Sequence, residues 1–153
     1  MKLSLIELVL RTIPEGIILI LAAYVFLNTK IDKNKILLSG TILGIITYLV
    51  RLLPIDFGVH TIIIIIGNIL LLVNINKINL FSSISASLLS MFILVICDLI
   101  NFYFIVNMLN ISFEQISNNI LIKTLWGLPS LILYLAIIGA VFYKKSMMKA
   151  REM

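Results

Sequence analysis

Polar residues interrupt a strongly apolar chain at regular intervals, and the interruptions divide it into stretches of membrane-spanning length. The apolar stretches cover residues 3–28, 36–53, 58–75, 80–107 and 120–143. A helix that crosses a bilayer needs about 20 mainly apolar residues, with about 17–25 tolerated, so each stretch predicts one spanning helix. Lys30, Asp32, Lys33 and Lys35 separate the first two. Asn74, Asn76, Lys77 and Asn79 separate the third and fourth, and residues 110–119 form a longer polar loop. Residues 62–66 are five isoleucines in a row. In water such a run suggests a strand. Inside an apolar stretch of this length it predicts a helix, because lipid offers no partner to an unpaired backbone group. The expected fold is all-α: a polytopic membrane protein with a bundle of about five transmembrane helices over residues 1–143, followed by a basic tail over residues 144–153. For the residues before Pro14, an amphipathic helix lying along the interface is the alternative to a span.

Composition supports the bilayer as solvent. The chain of 153 residues is 61% hydrophobic and 12% charged, against about 45–50% and about 25% for soluble domains, and its mean hydropathy is +1.18. The net charge of +5 is not a nucleic-acid signal, since the cations lie at the ends of apolar runs rather than in one patch. Cys97 is the only cysteine, which excludes an internal disulfide and a cysteine metal box. The first apolar stretch contains Arg11 and Glu15 and leads to no small-residue cleavage site, so it does not read as a cleavable signal peptide.

Charge also orients the bundle. Five spans put the termini on opposite sides, and cytoplasmic loops carry the excess of Lys and Arg. With the C-terminus inside, Lys30, Lys33, Lys35, Lys77, Lys144, Lys145, Lys149 and Arg151 fall inside, against Lys2, Arg11, Arg51 and Lys123 outside. The expected orientation is therefore N-terminus out and C-terminus in.

In that orientation the ionisable residues gather in the outer half of the membrane. Arg11 and Glu15 are spaced to pair at i,i+4 on the first helix. Arg51 ends the second helix. Asp56 and His60 lie in the link that contains Pro54 and Gly58. Asp98 falls about 17 residues, or roughly 25 Å, up the fourth helix, with Asn101 on the same stripe. Lys123 opens the fifth. A charge at a helix centre costs on the order of 2.5–3.5 kcal/mol even on lenient insertion scales, so these groups should face one another or a wet cavity. The expectation is an outer polar vestibule formed by Arg11, Glu15, Arg51, Asp56, His60, Asp98, Asn101 and Lys123. The plainer alternative is ion pairing that only fixes helix register, Arg11 with Glu15 or Arg51 with Asp98.

Small and polar seams run along the helices: Gly40, Gly44, Thr47 and Arg51 on the second; Ser83, Ser87, Ser90, Asp98 and Asn101 on the fourth; Lys123, Gly127, Ser130 and Tyr134 on the fifth. Gly40 and Gly44 are spaced for close helix packing, within the chain or between copies. Catalytic patterns are absent: one His and one Cys build no usual metal site, and no phosphate-binding glycine loop or nucleophile elbow occurs. A non-enzyme without cofactor or metal is expected.

The stretches Arg11-Thr12-Ile13-Pro14-Glu15-Gly16 and Tyr48-Leu49-Val50-Arg51-Leu52-Leu53-Pro54-Ile55-Asp56-Phe57-Gly58-Val59-His60-Thr61 resemble the N-terminal multi-helix membrane region of sensor histidine kinases from Gram-positive, clostridia-type bacteria. The resemblance rests on Pro14, Glu15, Arg51, Pro54, Gly58 and His60 and covers the first half of the chain. It implies a sensor in a bacterial plasma membrane. In such kinases the last helix leads into a phospho-acceptor helix and an ATP-binding domain. Neither pattern follows the fifth apolar stretch here, so the chain reads as a kinase-less relative or as the membrane part of a longer protein. The expected function is a sensor or receptor that takes an extracellular peptide or small metabolite in the outer vestibule and signals through its last helix to a cytoplasmic kinase or another membrane subunit. A small-solute transport component is the first alternative, an oligomeric pore or structural protein the second. Expected partners also include membrane lipids and further copies of the chain, and exclude nucleic acid.

Overall fold

The computed structural model describes residues 8–53, 57–109 and 120–151; the side chains of residues 57, 106, 108–109, 120–126 and 149–151 lie outside that description. The described residues form helices and the links between them, with no strand. Helix α1 covers Leu8–Leu27, α2 Lys33–Leu52, α3 Phe57–Asn74, α4 Leu80–Leu109 and α5 Ile120–Arg151. Stretches of α1, α2, α4 and α5 are long and apolar enough to cross a membrane, while α3 offers the shorter apolar helix Gly58–Asn74. The five-isoleucine run is helical, as expected.

Two helices have features that the apolar stretches alone do not show, each for a local reason. Helix α1 opens with a π-helical turn over Leu8–Thr12 before the α-helix Ile13–Leu27. Pro14 has no N–H to give to the carbonyl four residues back, and its ring crowds that carbonyl; the wider turn immediately precedes it. Helix α5 does not stop at residue 143 but continues through the basic segment to Arg151, whose residues are good helix formers with no Gly or Pro to end the run.

The centre of the bundle is α1. It packs against α2, α4 and α5 and touches α3. Leu19, Ile20, Ala22, Ala23 and Tyr24 are buried along it. A helix that is apolar all round is a core helix when other helices surround it, and residues 16–27 carry no polar face before Asn28. Helix α1 ends on Asn28 in the left-handed conformation, with the Thr29 N–H donating to the Tyr24 carbonyl at 3.1 Å, an end that Asn tolerates better than most residues.

Helices α1 and α2 meet backbone to backbone. A Cβ on Gly16 would collide with the Gly40 carbonyl oxygen and lie 2.8 Å from the Gly44 nitrogen; one on Gly44 would lie 2.8 Å from the Ile13 Cα. Gly40 and Gly44 lie at a close helix crossing within the chain, and Gly16 completes it from α1.

Polar side chains turn inward and large apolar ones outward. Ser39, Thr47, Asn68, Ser83, Ser87, Ser90 and Ser130 are buried, while Leu37, Leu49, Phe81, Phe92, Leu99 and Phe104 are exposed. Tyr134 of α5 is buried and donates to the Ser90 carbonyl at 3.1 Å. Water would favour the reverse distribution. Long apolar helices with this surface fit a multi-pass membrane protein.

Candidate functional site

The two ends of the bundle carry different chemistry. At the arginine end, the start of α1 lies beside the end of α2, and Glu15 meets Arg51. Side chains on a helix lean toward its N-terminus. Because α1 and α2 run antiparallel, Glu15 and Arg51 lean toward each other. One guanidinium nitrogen of Arg51 donates to both carboxylate oxygens of Glu15, at 3.1 and 3.3 Å. Glu15 is only 7% exposed and Arg51 27%. The close glycine crossing brings the two helices within reach for this bond.

The second pair links α1 to α4. Arg11 lies 3.9 Å from Asp98, beyond hydrogen-bonding distance, and Asp98 is 42% exposed. The Arg11 guanidinium also rests on α5, where a Cβ on Gly127 would come within 2.5 Å of a terminal nitrogen. The Arg11 Nε is buried with no hydrogen-bond partner among the described residues. Arg11 is thus wedged between α4 and α5 by shape as much as by charge.

These geometries correct the pairing expected from spacing. Arg11 reaches Asp98 rather than Glu15, and Arg51 reaches Glu15 rather than Asp98. The i,i+4 argument assumes a regular 3.6-residue turn, and the π turn ending at Thr12 shifts the register between Arg11 and Glu15. Of the remaining candidates, His60 sits in the first turns of α3 at the same end, its Nδ1 buried without a partner among the described residues. Asn101 is partly buried one turn beyond Asp98. Asp56 and the side chain of Lys123 lie outside the described residues. Gly127 belongs to the site through Arg11; its place on the fifth-helix seam was the sequence signal for it.

At the lysine end, the α1–α2 and α3–α4 links lie together. The Tyr24 hydroxyl donates to Asn76 Oδ1 at 2.7 Å, and the Asn76 amide donates to the Leu71 carbonyl at 3.0 Å, which fixes the second link against α1. Lys145 of α5 donates to the Val25 and Phe26 carbonyls at 3.0 and 2.9 Å, a cation placed at the negative end of α1. Helix α5 is therefore tied to α1 at both ends: through Arg11 at Gly127, and through Lys145 at the last turn. A cleft of about 760 Å³ opens between the links and is lined by Lys30, Lys33, Lys35 and Lys77. In the sequence these lysines carry only a topology signal.

No group of three or more His, Cys, Asp or Glu among the described residues could hold a metal ion. No protein-family model matches the chain, nor does any curated protein or solved structure.

Proposed function

We propose that the chain is a non-enzymatic membrane receptor in a bacterial plasma membrane, with five spans, its N-terminus outside and its C-terminus inside. The observation that carries this reading is the pair of cross-helix arginine–carboxylate contacts at one end of the bundle, with Arg11 wedged against α5. In this reading the pairs form a latch. An extracellular peptide or small metabolite with its own carboxylate or ammonium group competes for Arg11, Asp98 or the Glu15–Arg51 pair. The Arg11–Asp98 contact is the weaker and more open one, so it yields first. Arg11 then leaves Gly127, α5 moves against α1, and the Lys145 contact carries the change to the opposite face, where a kinase or another membrane subunit reads it. A ligand shifts such an equilibrium only through its different affinity for the two arrangements. The resemblance to sensor-kinase membrane regions supports the signalling role, and the eight cations on the proposed inner side support the orientation.

The reading predicts that native mass spectrometry of the gently solubilised protein shows a monomer or dimer with a stoichiometric non-lipid adduct. Asp98→Asn should weaken that adduct while leaving membrane insertion intact, since Asp98 is the exposed side of the pair and its 3.9 Å contact with Arg11 is loose. A closed ring of four or more chains with no adduct, together with ion flux in vesicles, contradicts the receptor and favours the pore. Uptake of a solute by reconstituted vesicles favours the transport component.

A further inference from the structure

We propose that the cleft at the lysine end is a binding site for a phosphate-bearing anion, a function separate from the arginine pairs and independent of them. Four lysines line the cleft, against a single aspartate. That aspartate is already engaged: Asp32 accepts the Lys35 N–H at 3.3 Å as the cap of α2, and its other oxygen lies 3.7 Å from the Lys35 ammonium. Lys30, Lys33 and Lys77 have no carboxylate partner among the described residues. Three uncompensated cations thus converge on one concave space.

The backbone adds to the same field. Helix α2 starts at Lys33 and α4 at Leu80. The residues that precede them, Asp32 and Asn79, both line the cleft, and the Asn79 carbonyl accepts the Ser83 N–H at 2.9 Å. Two helix N-termini thus open beside the lysines with their positive dipole ends, the one at α2 already capped by Asp32.

The cleft is also held in shape. Asn76 is anchored to Tyr24 and to the Leu71 carbonyl, and the Ile78 N–H donates to the Leu72 carbonyl at 3.1 Å. Between these anchors Lys77 takes a left-handed conformation with φ 58°, uncommon for a residue with a side chain. The link therefore holds a cation at a position where glycine is the easier residue.

A volume of about 760 Å³ falls in the range of small-molecule sites and exceeds what a bare phosphate needs. The chemistry fits a phosphorylated organic group, supplied by an anionic lipid headgroup or by a soluble phosphate ester.

The test uses the full chain in nanodiscs containing phosphatidylglycerol or phosphatidylcholine, released for native mass spectrometry at about 0.15 M ionic strength, where charges more than about 8 Å from the anion are largely screened. The K30Q/K33Q/K77Q variant is expected to retain phosphatidylglycerol about ten-fold less than the unaltered chain. The K144Q/K149Q/R151Q variant loses the same number of charges from the basic segment at the end of α5 and is expected to change by less than about two-fold. Loss of retained phosphatidylglycerol on addition of pyrophosphate assigns the site to soluble phosphates; retention despite pyrophosphate assigns it to lipid. Equal losses in both variants, or none in either, overturn the proposal. A measurement without variants guards against misfolding. Acetylation of Lys30, Lys33 and Lys77 in the unaltered chain should slow relative to Lys144 when phosphatidylglycerol or pyrophosphate is present. An unchanged ratio with both overturns the proposal.

Discussion

Gly16→Ala is expected to destabilise the bundle by up to about 3 kcal/mol, the upper part of the range for overpacking, and to open the α1–α2 crossing. The added methyl would collide with the Gly40 carbonyl oxygen and press on the Gly44 nitrogen and Cα, at 2.8 and 3.2 Å. Those neighbours are backbone atoms of a helix, so relief requires the helices to move apart. Separation also pulls Glu15 away from Arg51, and a single methyl group therefore disturbs both the packing and the buried carboxylate. Gly139→Ala is the matched control. A Cβ there meets nothing within 4 Å, and alanine is the better helix former by about 1 kcal/mol, so this variant should melt at or slightly above the parent temperature. Thermal unfolding in detergent, followed by circular dichroism, separates the two. Equal melting temperatures for both variants would refute the close crossing.

The second large effect concerns Glu15 and Arg51. Removing one partner of a buried ion pair costs about 3–5 kcal/mol, because the other charge is left without compensation. Arg51 keeps 27% of its side-chain exposure, so the lower end of that range is expected for Glu15→Gln and for Arg51→Met. The double variant should recover much of the loss, since two neutral side chains leave no buried charge. A double-mutant cycle in denaturant measures the coupling. Strict additivity would mean that the two side chains do not depend on each other. Arg11 and Asp98 should show a much smaller coupling, because their 3.9 Å contact is looser and Asp98 is 42% exposed.

The helices were legible in the sequence because a bilayer imposes a length and an apolar composition on every span. The glycine crossing was half legible. Gly40 and Gly44 are spaced to lie on one face, but nothing in the one-dimensional pattern says that the surface against them is Gly16 of α1. The central role of α1 was hidden for a similar reason: an apolar helix in the core and one facing lipid have nearly the same composition, and only the packing tells them apart. Of the ionic candidates, Arg11, Glu15, Arg51 and Asp98 form two pairs at one end of the bundle. Their partners were wrong because pairing across helices depends on crossing geometry and on the π turn before Pro14, which residue spacing does not encode. The lysine cleft went unread because the same lysines already had an explanation as topology signals. Tyr24 and Asn76, which hold one wall of that cleft in place, are 52 residues apart in the chain and carry no local signature of their contact.

In the proposed latch the arginine end controls the position of α5 at the lysine end. Amide hydrogen exchange in nanodiscs, comparing the unaltered chain with the Asp98→Asn variant, which keeps the buried Glu15–Arg51 pair, tests it directly. If the Arg11–Asp98 contact is the first step of a latch, removing the Asp98 charge should speed exchange at a distance, in residues 25–29 and 142–146 around the Lys145 contact. Faster exchange confined to the neighbourhoods of residues 11, 15, 51 and 98, with the far end unchanged, would contradict the account and leave the pairs as structural fasteners alone.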